Sequence, residues 1–188
     1  GMKTQVSVPV IASHRINDPR VAREMIGSNQ CDMVAMGRSL ITDPFLPEKA
    51  KTGREDEIIH CIACAQGCFD NLFKLKHVEC LCNPRAGYEH HPLPATTDTP
   101  KRVMVIGGGV AGMVAAITAH DLGHSVSLHE ASGRLGGQLH LASAPPGREE
   151  FLQYVRDLER QVHVRSIPVE INQTVDLALV QSIRPDHV

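Results

Sequence analysis

A run of glycines between an apolar strand and an Ala-rich helix restricts the fold of this chain more than any other feature. The run reads Gly107-Gly108-Gly109-Val110-Ala111-Gly112 and has the spacing G-x-G-x-x-G. A strand–glycine turn–helix order is typical of a parallel βα unit that binds the pyrophosphate of a dinucleotide. In such a unit Gly107 permits the tight turn, Gly109 lets the pyrophosphate approach the backbone, and Gly112 permits close packing of helix on strand.

An acidic residue follows at the position expected for ribose recognition. Glu130 lies 18 residues after Gly112, directly after a second predicted strand at 125–129. A carboxylate there accepts hydrogen bonds from both ribose hydroxyls and repels a 2′-phosphate, which disfavours NADP at this site. The alternative is an exposed acid at a strand end. The local chemistry does not separate FAD from NAD.

The pattern around this turn predicts an α/β domain. The strand before the turn covers 102–106 and the helix after it covers 110–122. A further helix is predicted over 148–161 and a further strand over 164–171, and residues 185–188 enter another strand. Both ends of the chain are therefore expected to cut through larger domains.

The amino-terminal piece also alternates strand and helix. Residues 8–12 and 32–36 are short apolar strands, and Asp18-Pro19 is an N-cap followed by proline at the first helical position. This helix is expected to end at Gly27, and the stretch 44–57 is helix-prone. Strand–helix–strand at this spacing indicates a parallel βα unit, and one such unit cannot close a barrel.

Four cysteines with a compact spacing form the second conspicuous pattern. Cys61, Cys64, Cys68 and Cys80 follow C-x2-C-x3-C-x11-C. Four thiolates suit a [4Fe–4S] cluster, because iron favours soft sulfur ligands. Tetrahedral zinc uses the same ligands, and a metal-free redox or structural role is a third reading. Cys82 competes as the fourth ligand.

Composition narrows the class of protein. Hydrophobic residues make up 42% and charged residues 21%, and the formal net charge is −2, which gives no sign of nucleic-acid or anionic-membrane binding. No apolar run approaches the ~20 residues that cross a bilayer. No signal peptide is recognised, so a cytoplasmic, reducing location is expected, where cysteines favour metal or redox roles over disulfides.

Gly1 resembles a tag remnant, Cys31 is expected to be a buried apolar filler, and His90 and His91 are expected to be exposed linker residues.

Several short motifs follow one another in a fixed order: Ser13-His14-Arg15-Ile16-Asn17, Met36-Gly37-Arg38, the cysteine quartet, Asn83-Pro84-Arg85-Ala86, the triple glycine, Gly136-Gly137-Gln138 and Pro146-Gly147-Arg148-Glu149-Glu150-Phe151. Together they resemble the iron–sulfur flavoenzyme relatives of Old Yellow Enzyme, a family of NADH:flavin oxidoreductases that includes 2,4-dienoyl-CoA reductases. The resemblance implies an FMN-binding (β/α)8 barrel, a [4Fe–4S] cluster after it, and then FAD- and NAD(P)H-binding domains. The expected fold is therefore α/β, with C-terminal βα units of a TIM barrel, a Cys-rich iron–sulfur segment and an incomplete Rossmann-like FAD-binding domain.

The resemblance also implies residue roles. Arg15, Gly37 and Arg38 would fall at the carboxyl ends of barrel strands and help to hold the FMN phosphate. The family ligand precedes Asn-Pro-Arg by three residues, which selects Cys80 over Cys82. The glycine-rich site would bind FAD, with Gly136, Gly137 and Gln138 reaching the cofactor.

The implied organisation is a barrel piece at 1–60, a cluster segment at 61–88, a linker at 89–100 and part of an FAD/NAD(P)-binding domain at 101–188. The parent enzyme would pass electrons from NAD(P)H through FAD and the cluster to FMN, and would reduce a conjugated C=C bond in an unsaturated thioester or acid. Against the family pattern, these residues are expected to lack most of the barrel and its catalytic acid, so no catalytic residue is assigned. The isolated chain is expected to be inactive and to self-associate through cut sheet edges. The alternatives are a non-enzymatic electron-transfer or nucleotide-binding module and a zinc-stapled structural domain.

Overall fold

The chain folds into two compact units in a computed structural model that describes residues 2–92 and 94–188, except for the side chain of Met2. The units are Gly1–His91 and Pro92–Val188. Gly1, and Leu93 within the predicted linker, lie outside the described residues. Both units carry small parallel sheets with helices, so the predicted α/β class is confirmed.

The first unit is built on a two-stranded parallel sheet. Strands β1 (Ile11–Ala12) and β2 (Met33–Val34) pair in register, and helix α1 (Pro19–Gly27) connects them. The Asp18 carboxylate accepts a hydrogen bond of 2.8 Å from the backbone N–H of Arg20 and so caps α1. The predicted helix bounds are confirmed, because both the cap and the proline that follows it are local signals.

Short helices follow the second strand. They are α2 (Gly37–Thr42), α3 (Leu46–Lys51) and α4 (Phe69–Phe73), with a 3-10 turn at Glu55–Glu57. Another 3-10 turn, at Met2–Gln5, precedes the first strand. The helix-prone stretch 44–57 is divided because Gly53 adopts a φ of 74°, which ends the helical path. Neither α2 nor α4 was predicted from the sequence.

A buried ion pair ties these helices to the segment that leads into the cysteines. Asp43 is 3% exposed, and its carboxylate lies 2.6 Å from the Lys49 ammonium. The same carboxylate oxygen accepts a hydrogen bond of 2.9 Å from the backbone N–H of Ile59, and the ammonium donates to the carbonyl of Glu57 at 2.9 Å. The pair therefore fixes the approach of the backbone to Cys61.

The second unit carries a three-stranded parallel sheet with the order β3-β4-β5. Strands β3 (Arg102–Ile106) and β4 (Ser125–His129) pair over their full length, and helix α5 (Val110–Asp121) connects them. The bounds of both strands are those predicted. The short strand β5 (Val169–Glu170) pairs with β4, and His187 forms a single parallel bridge to Val103.

Three more helices complete this unit: α6 (Leu139–Ala142), α7 (Phe151–Val164) and α8 (Leu177–Ile183). Helix α7 extends three residues beyond its predicted end, so the strand predicted at 164–171 is reduced to two residues. The helix extends because its apolar face continues to its end: α7 buries Tyr154, Val155, Leu158 and Val162, which recur at helical spacing. Among the residues that the structure describes, no helix is long and apolar enough to cross a membrane.

Candidate cofactor-binding sites

One cavity in the first unit gathers the cysteines of the cluster segment. Cys61, Cys64, Cys68 and Cys80 all line it, together with Cys82. All six cysteines of the chain are free of disulfides. Four side chains that are up to 19 residues apart in sequence thus face a common space, in line with the predicted ligand set.

The backbone of the first three cysteines curls tightly around this cavity. Ala63 and Ala65 adopt left-handed conformations with φ of 52° and 60°, which cost energy for residues other than glycine. Burial raises the pKa of the Cys64 thiol, whereas a hydrogen bond from the backbone N–H of Gln66 lowers it in part. Residues in left-handed conformations expose backbone N–H groups toward one point, an arrangement that recurs at iron–sulfur and anion sites.

The fourth cysteine returns to the cavity through a close crossing of two backbone segments. The N–H of Glu79 donates to the carbonyl of Gly67 at 2.8 Å. A β-carbon on Gly67 would lie 2.8 Å from the carbonyl oxygen of Glu79, so a larger residue would push the segments apart. This crossing places Cys80 beside Cys68.

Cys80 and Cys82 differ in their surroundings. The Cys80 sulfur lies 3.4 Å from the Thr42 hydroxyl, and Cys82 is buried at 6% exposure. A hydrogen bond from the Cys82 side chain lowers the pKa of Cys80 to about 5, and the same bond, with burial, raises the pKa of Cys82. In the part of the chain that is described, no three His, Cys, Asp or Glu side chains have the arrangement that holds a metal ion. The ligand set therefore stays a prediction.

A second cavity, of about 260 Å³, gathers the residues predicted to hold a phosphate. Arg15, Gly37 and Arg38 all line it. Arg15 follows β1 and the other two follow β2, and the carboxyl ends of parallel strands meet at one edge of a sheet. His14 and Arg15 both have positive φ, 83° and 56°, and strain of this kind is concentrated at functional sites.

Two hydrogen bonds hold the walls of this second cavity. The buried hydroxyl of Ser39 donates to the carbonyl of Ile16 at 2.9 Å, which joins the segments after the two strands. The side-chain amide of Asn17 donates to the carbonyl of Cys61 at 2.9 Å, which joins the cavity to the cysteine loop. Sequence reasoning assigned no role to Ser39 and placed Asn17 only within a motif.

Arg38 and Cys61 line both cavities. The guanidinium carbon of Arg38 lies 5.3 Å from the centre of the Phe69 ring, within the range of a cation–π contact. Phe69 directly follows Cys68 and also lines the second cavity. The spacing of the cysteines gave no signal for this aromatic residue.

The glycine-rich turn in the second unit has the geometry that its motif requires. Gly107 has a φ of 103°, and a β-carbon on Gly112 would overlap the carbonyl oxygen of Gly107. Gly109 caps α5, and no atom lies within 4 Å of the position of its missing β-carbon. The open side of Gly109 leaves room for a ligand at the amino-terminal end of a twelve-residue helix.

Glu130 lies against this turn. Its carboxylate accepts hydrogen bonds from the backbone N–H of Gly108 at 2.6 Å and of Ser132 at 2.7 Å. Hydrogen bonds from Ser132 and then from Gly108 lower the pKa of Glu130. Each carboxylate oxygen keeps a further lone pair, so contact with a ribose stays possible and stays a prediction.

The third glycine segment packs beside the turn. The N–H of Gly136 donates to the carbonyl of Gly108 at 2.8 Å. A β-carbon on Gly137 would lie 3.2 Å from the α-carbon of Gly109, and Gln138 follows directly. The predicted residues of the glycine-rich site are thus brought together within the second unit.

His90 and His91, which lie outside this unit, are both exposed, as expected.

Comparisons with known proteins agree with these features. Residues 1–57 match the model of the NADH:flavin oxidoreductase / NADH oxidase family, and residues 102–172 match the model of FAD dependent oxidoreductases. The chain is 43% identical over 184 residues to a metal reductase of Desulforamulus reducens, covering 93% of the chain and 28% of that protein. It is 38% identical over 187 residues to a bilirubin reductase of Mediterraneibacter gnavus, covering 100% of the chain and 29% of that protein.

A solved structure is similar over almost the whole chain. The structure of a 2-naphthoyl-CoA reductase in complex with 2-naphthoyl-CoA matches with a TM-score of 0.93 and 32% identity, covering 98% of this chain and 28% of that one. The family models that match the two segments are those of flavin-dependent and FAD-dependent oxidoreductases. These matches to the NADH:flavin oxidoreductase / NADH oxidase family and to known reductases confirm the resemblance seen in the sequence. It spans less than a third of the length of these relatives.

Proposed function

We propose that the chain is the cofactor-bearing part of an iron–sulfur flavoprotein in which electrons from NAD(P)H pass through FAD and a [4Fe–4S] cluster to FMN and reduce a conjugated C=C bond. Two cavities that share Arg38 and Cys61 carry this proposal. A shared wall would place the cluster and FMN next to each other, and electron transfer between two centres requires that they lie close together. The whole activity is a proposal because the chain spans only part of its relatives.

The second cavity fits the phosphate of FMN. Arg15 and Arg38 place two guanidinium groups on its walls, and guanidinium groups bind phosphate oxygens through paired, charge-assisted hydrogen bonds. No atom lies within 4 Å of the position that a β-carbon on Gly37 would occupy, so that side of the backbone is open to a ligand. These three residues would bind and orient the phosphate.

The thiol donors that line the first cavity suit an iron–sulfur cluster. Cys61, Cys64, Cys68 and Cys80 would be its ligands, because thiolates are the ligands that such clusters use. Cys82 would remain outside the ligand set and donate a hydrogen bond to the Cys80 sulfur, as its contact with Cys80 indicates. Hydrogen bonds to cluster sulfurs tune the reduction potential.

The glycine-rich turn fits the pyrophosphate of FAD. Gly109 would allow the pyrophosphate to approach, while Gly107 and Gly112 shape the turn and its packing. Glu130 would accept hydrogen bonds from the ribose, and Gly137 and Gln138 would contact the cofactor from the neighbouring segment.

The domain boundaries and substrate class belong to the same proposal. We assign 1–60 to the FMN-binding barrel, 61–88 to the cluster segment, 89–100 to a linker and 101–188 to the FAD-binding domain. Similarity to a 2-naphthoyl-CoA reductase favours an unsaturated thioester as the substrate. We assign no catalytic residue to this chain, and we expect the 188 residues alone to show no reductase turnover.

Anaerobic reconstitution with iron and sulfide tests this proposal. The chain should bind about four irons through its thiolates and develop broad visible absorbance. Cys80→Ser should abolish the cluster, whereas the matched variant Cys82→Ser should retain most of the iron. Equal losses from both variants would contradict the ligand choice. A colourless, zinc-binding protein would favour a zinc-stapled structural domain, and flavin bands without iron would favour a nucleotide-binding module.

A further inference from the structure

The wall between the two cavities contains a contact that no sequence motif indicated. The guanidinium group of Arg38 lies over the ring of Phe69, 5.3 Å from its centre. Phe69 begins α4 directly after Cys68, and its ring stacks on Phe73 with centres 5.9 Å apart and planes at 17°. The loop that carries three of the cysteines thereby also carries the aromatic face under the cation.

Arg38 differs from Arg15 in what holds its charged group. Within residues 2–92 and 94–188, the Arg38 guanidinium has no hydrogen-bond or ion-pair partner, whereas Arg15 has a partner interaction. The contact with the Phe69 ring therefore restricts the Arg38 guanidinium where hydrogen bonds and ion pairs do not, because a long arginine side chain otherwise samples many rotamers.

We propose that Phe69 is a positioning residue that holds the Arg38 guanidinium toward the anion cavity. This inference rests on the proposed FMN-phosphate site and names the residue that orders one of its two cations. Cys61 and Phe69 both line that cavity, so the cysteine loop forms one of its walls. Ordering Arg38 before the anion arrives reduces the entropy that binding would otherwise cost. The same loop thus serves the cysteine cavity on one side and the phosphate cavity on the other.

The stacking geometry can be measured without a flavin by NMR of the full chain with ¹⁵N-labelled arginine. The side-chain N–H resonance of Arg38, assigned with Arg38→Lys, should be displaced by the ring current of Phe69. Phe69→Leu should remove that displacement, and so should Phe69→Met, which retains apolar bulk without a ring. Phe69→Tyr should restore it. Phe73→Leu is the matched control, because Phe73 is 81% exposed, lies on the same helix and stacks on Phe69.

Titration with inorganic phosphate, against sodium chloride of equal ionic strength, measures the functional effect. Phosphate should shift the Arg15 and Arg38 resonances of the wild-type chain. Phe69→Leu should weaken phosphate binding about two- to fivefold, the range expected for an exposed cation–π contact. Phe73→Leu and Phe69→Tyr should bind phosphate as the wild type does.

The results of these two measurements distinguish an error in the proposed phosphate site from an error in the role of Phe69. If phosphate shifts neither arginine in the wild type, the proposed phosphate site is wrong and this inference is lost with it. If phosphate binds but Phe69→Leu and Phe69→Met leave both the Arg38 resonance and the affinity unchanged, only the role of Phe69 is wrong. An equal loss in Phe73→Leu would assign the effect to helix packing and overturn the positioning role.

Discussion

Two glycines of the same turn should differ in their sensitivity to substitution. In α5, a β-carbon on Gly112 would overlap the carbonyl oxygen of Gly107 and lie 3.5 Å from a methyl carbon of Val105. At Gly109, three residues earlier, a β-carbon would meet no atom within 4 Å, and φ is −71°, which any residue adopts. We therefore expect Gly112→Ala to destabilise the second unit and Gly109→Ala to leave it nearly unchanged.

The expected magnitudes follow from these contacts. Forcing extra atoms into a packed site costs about 1–3 kcal/mol, and a backbone carbonyl cannot rotate away as a side chain can. Replacing glycine by alanine within a helix recovers about 0.5–1 kcal/mol. Because the overlap at Gly112 is with a backbone atom, the upper end of the packing cost applies, and the free energy of unfolding should fall by about 2–2.5 kcal/mol for Gly112→Ala, the difference of these two terms. For Gly109→Ala a change within about 0.5 kcal/mol is expected, as at other sites free of special contacts.

Urea unfolding followed by tyrosine fluorescence measures the difference. Tyr154 is 4% exposed in the second unit, and a Tyr88→Phe background leaves it as the sole tyrosine of the chain. Equal stability of Gly112→Ala and the parent would refute the close approach of helix and turn. The larger variant Gly109→Val should also be stable, yet should abolish FAD binding in a longer chain that includes the rest of this domain. Unchanged FAD affinity in that variant would mean that the site is misassigned.

Two further predictions concern charged groups. Asp43→Asn should lower the free energy of unfolding by about 3–5 kcal/mol, because it leaves the Lys49 ammonium, 14% exposed, without its anionic partner. Glu48→Gln, on the exposed surface of the helix that carries Lys49, should cost less than about 1 kcal/mol in the same urea titration. Glu130 should make the second unit sensitive to acid, because hydrogen bonds lower its folded-state pKa. The stability that Glu130 contributes is present above the ordinary pKa of about 4.3 and is lost as the pH falls through the folded-state pKa. A Glu130→Gln variant should lose part of this dependence, and identical unfolding midpoints across acidic pH in both proteins would contradict the assignment.

The elements that the sequence predicted well are those set by local signals. The strands at 102–106 and 125–129 are bounded by turns and were located to the residue, and α1 was located by the Asp18 cap and by Gly27. Steric limits on glycine and proline act within a few residues, so they can be recognised without knowledge of the partner segments. The amphipathic end of α7 was misjudged because packing of its apolar face extended the helix to Val164.

The candidate sites divide in the same way. The amino-acid sequence by itself determined the four-cysteine spacing and the glycine turn, because each motif carries its chemistry in a short segment, whereas the arginines that follow two strands were singled out by the family resemblance. Only the tertiary structure decided that Arg38 and Cys61 line both cavities and that Phe69, 31 residues beyond Arg38, lies against its guanidinium. Such a contact depends on how the helix after β2 packs against the cysteine loop, and packing between segments distant in the chain leaves no periodic trace in the sequence.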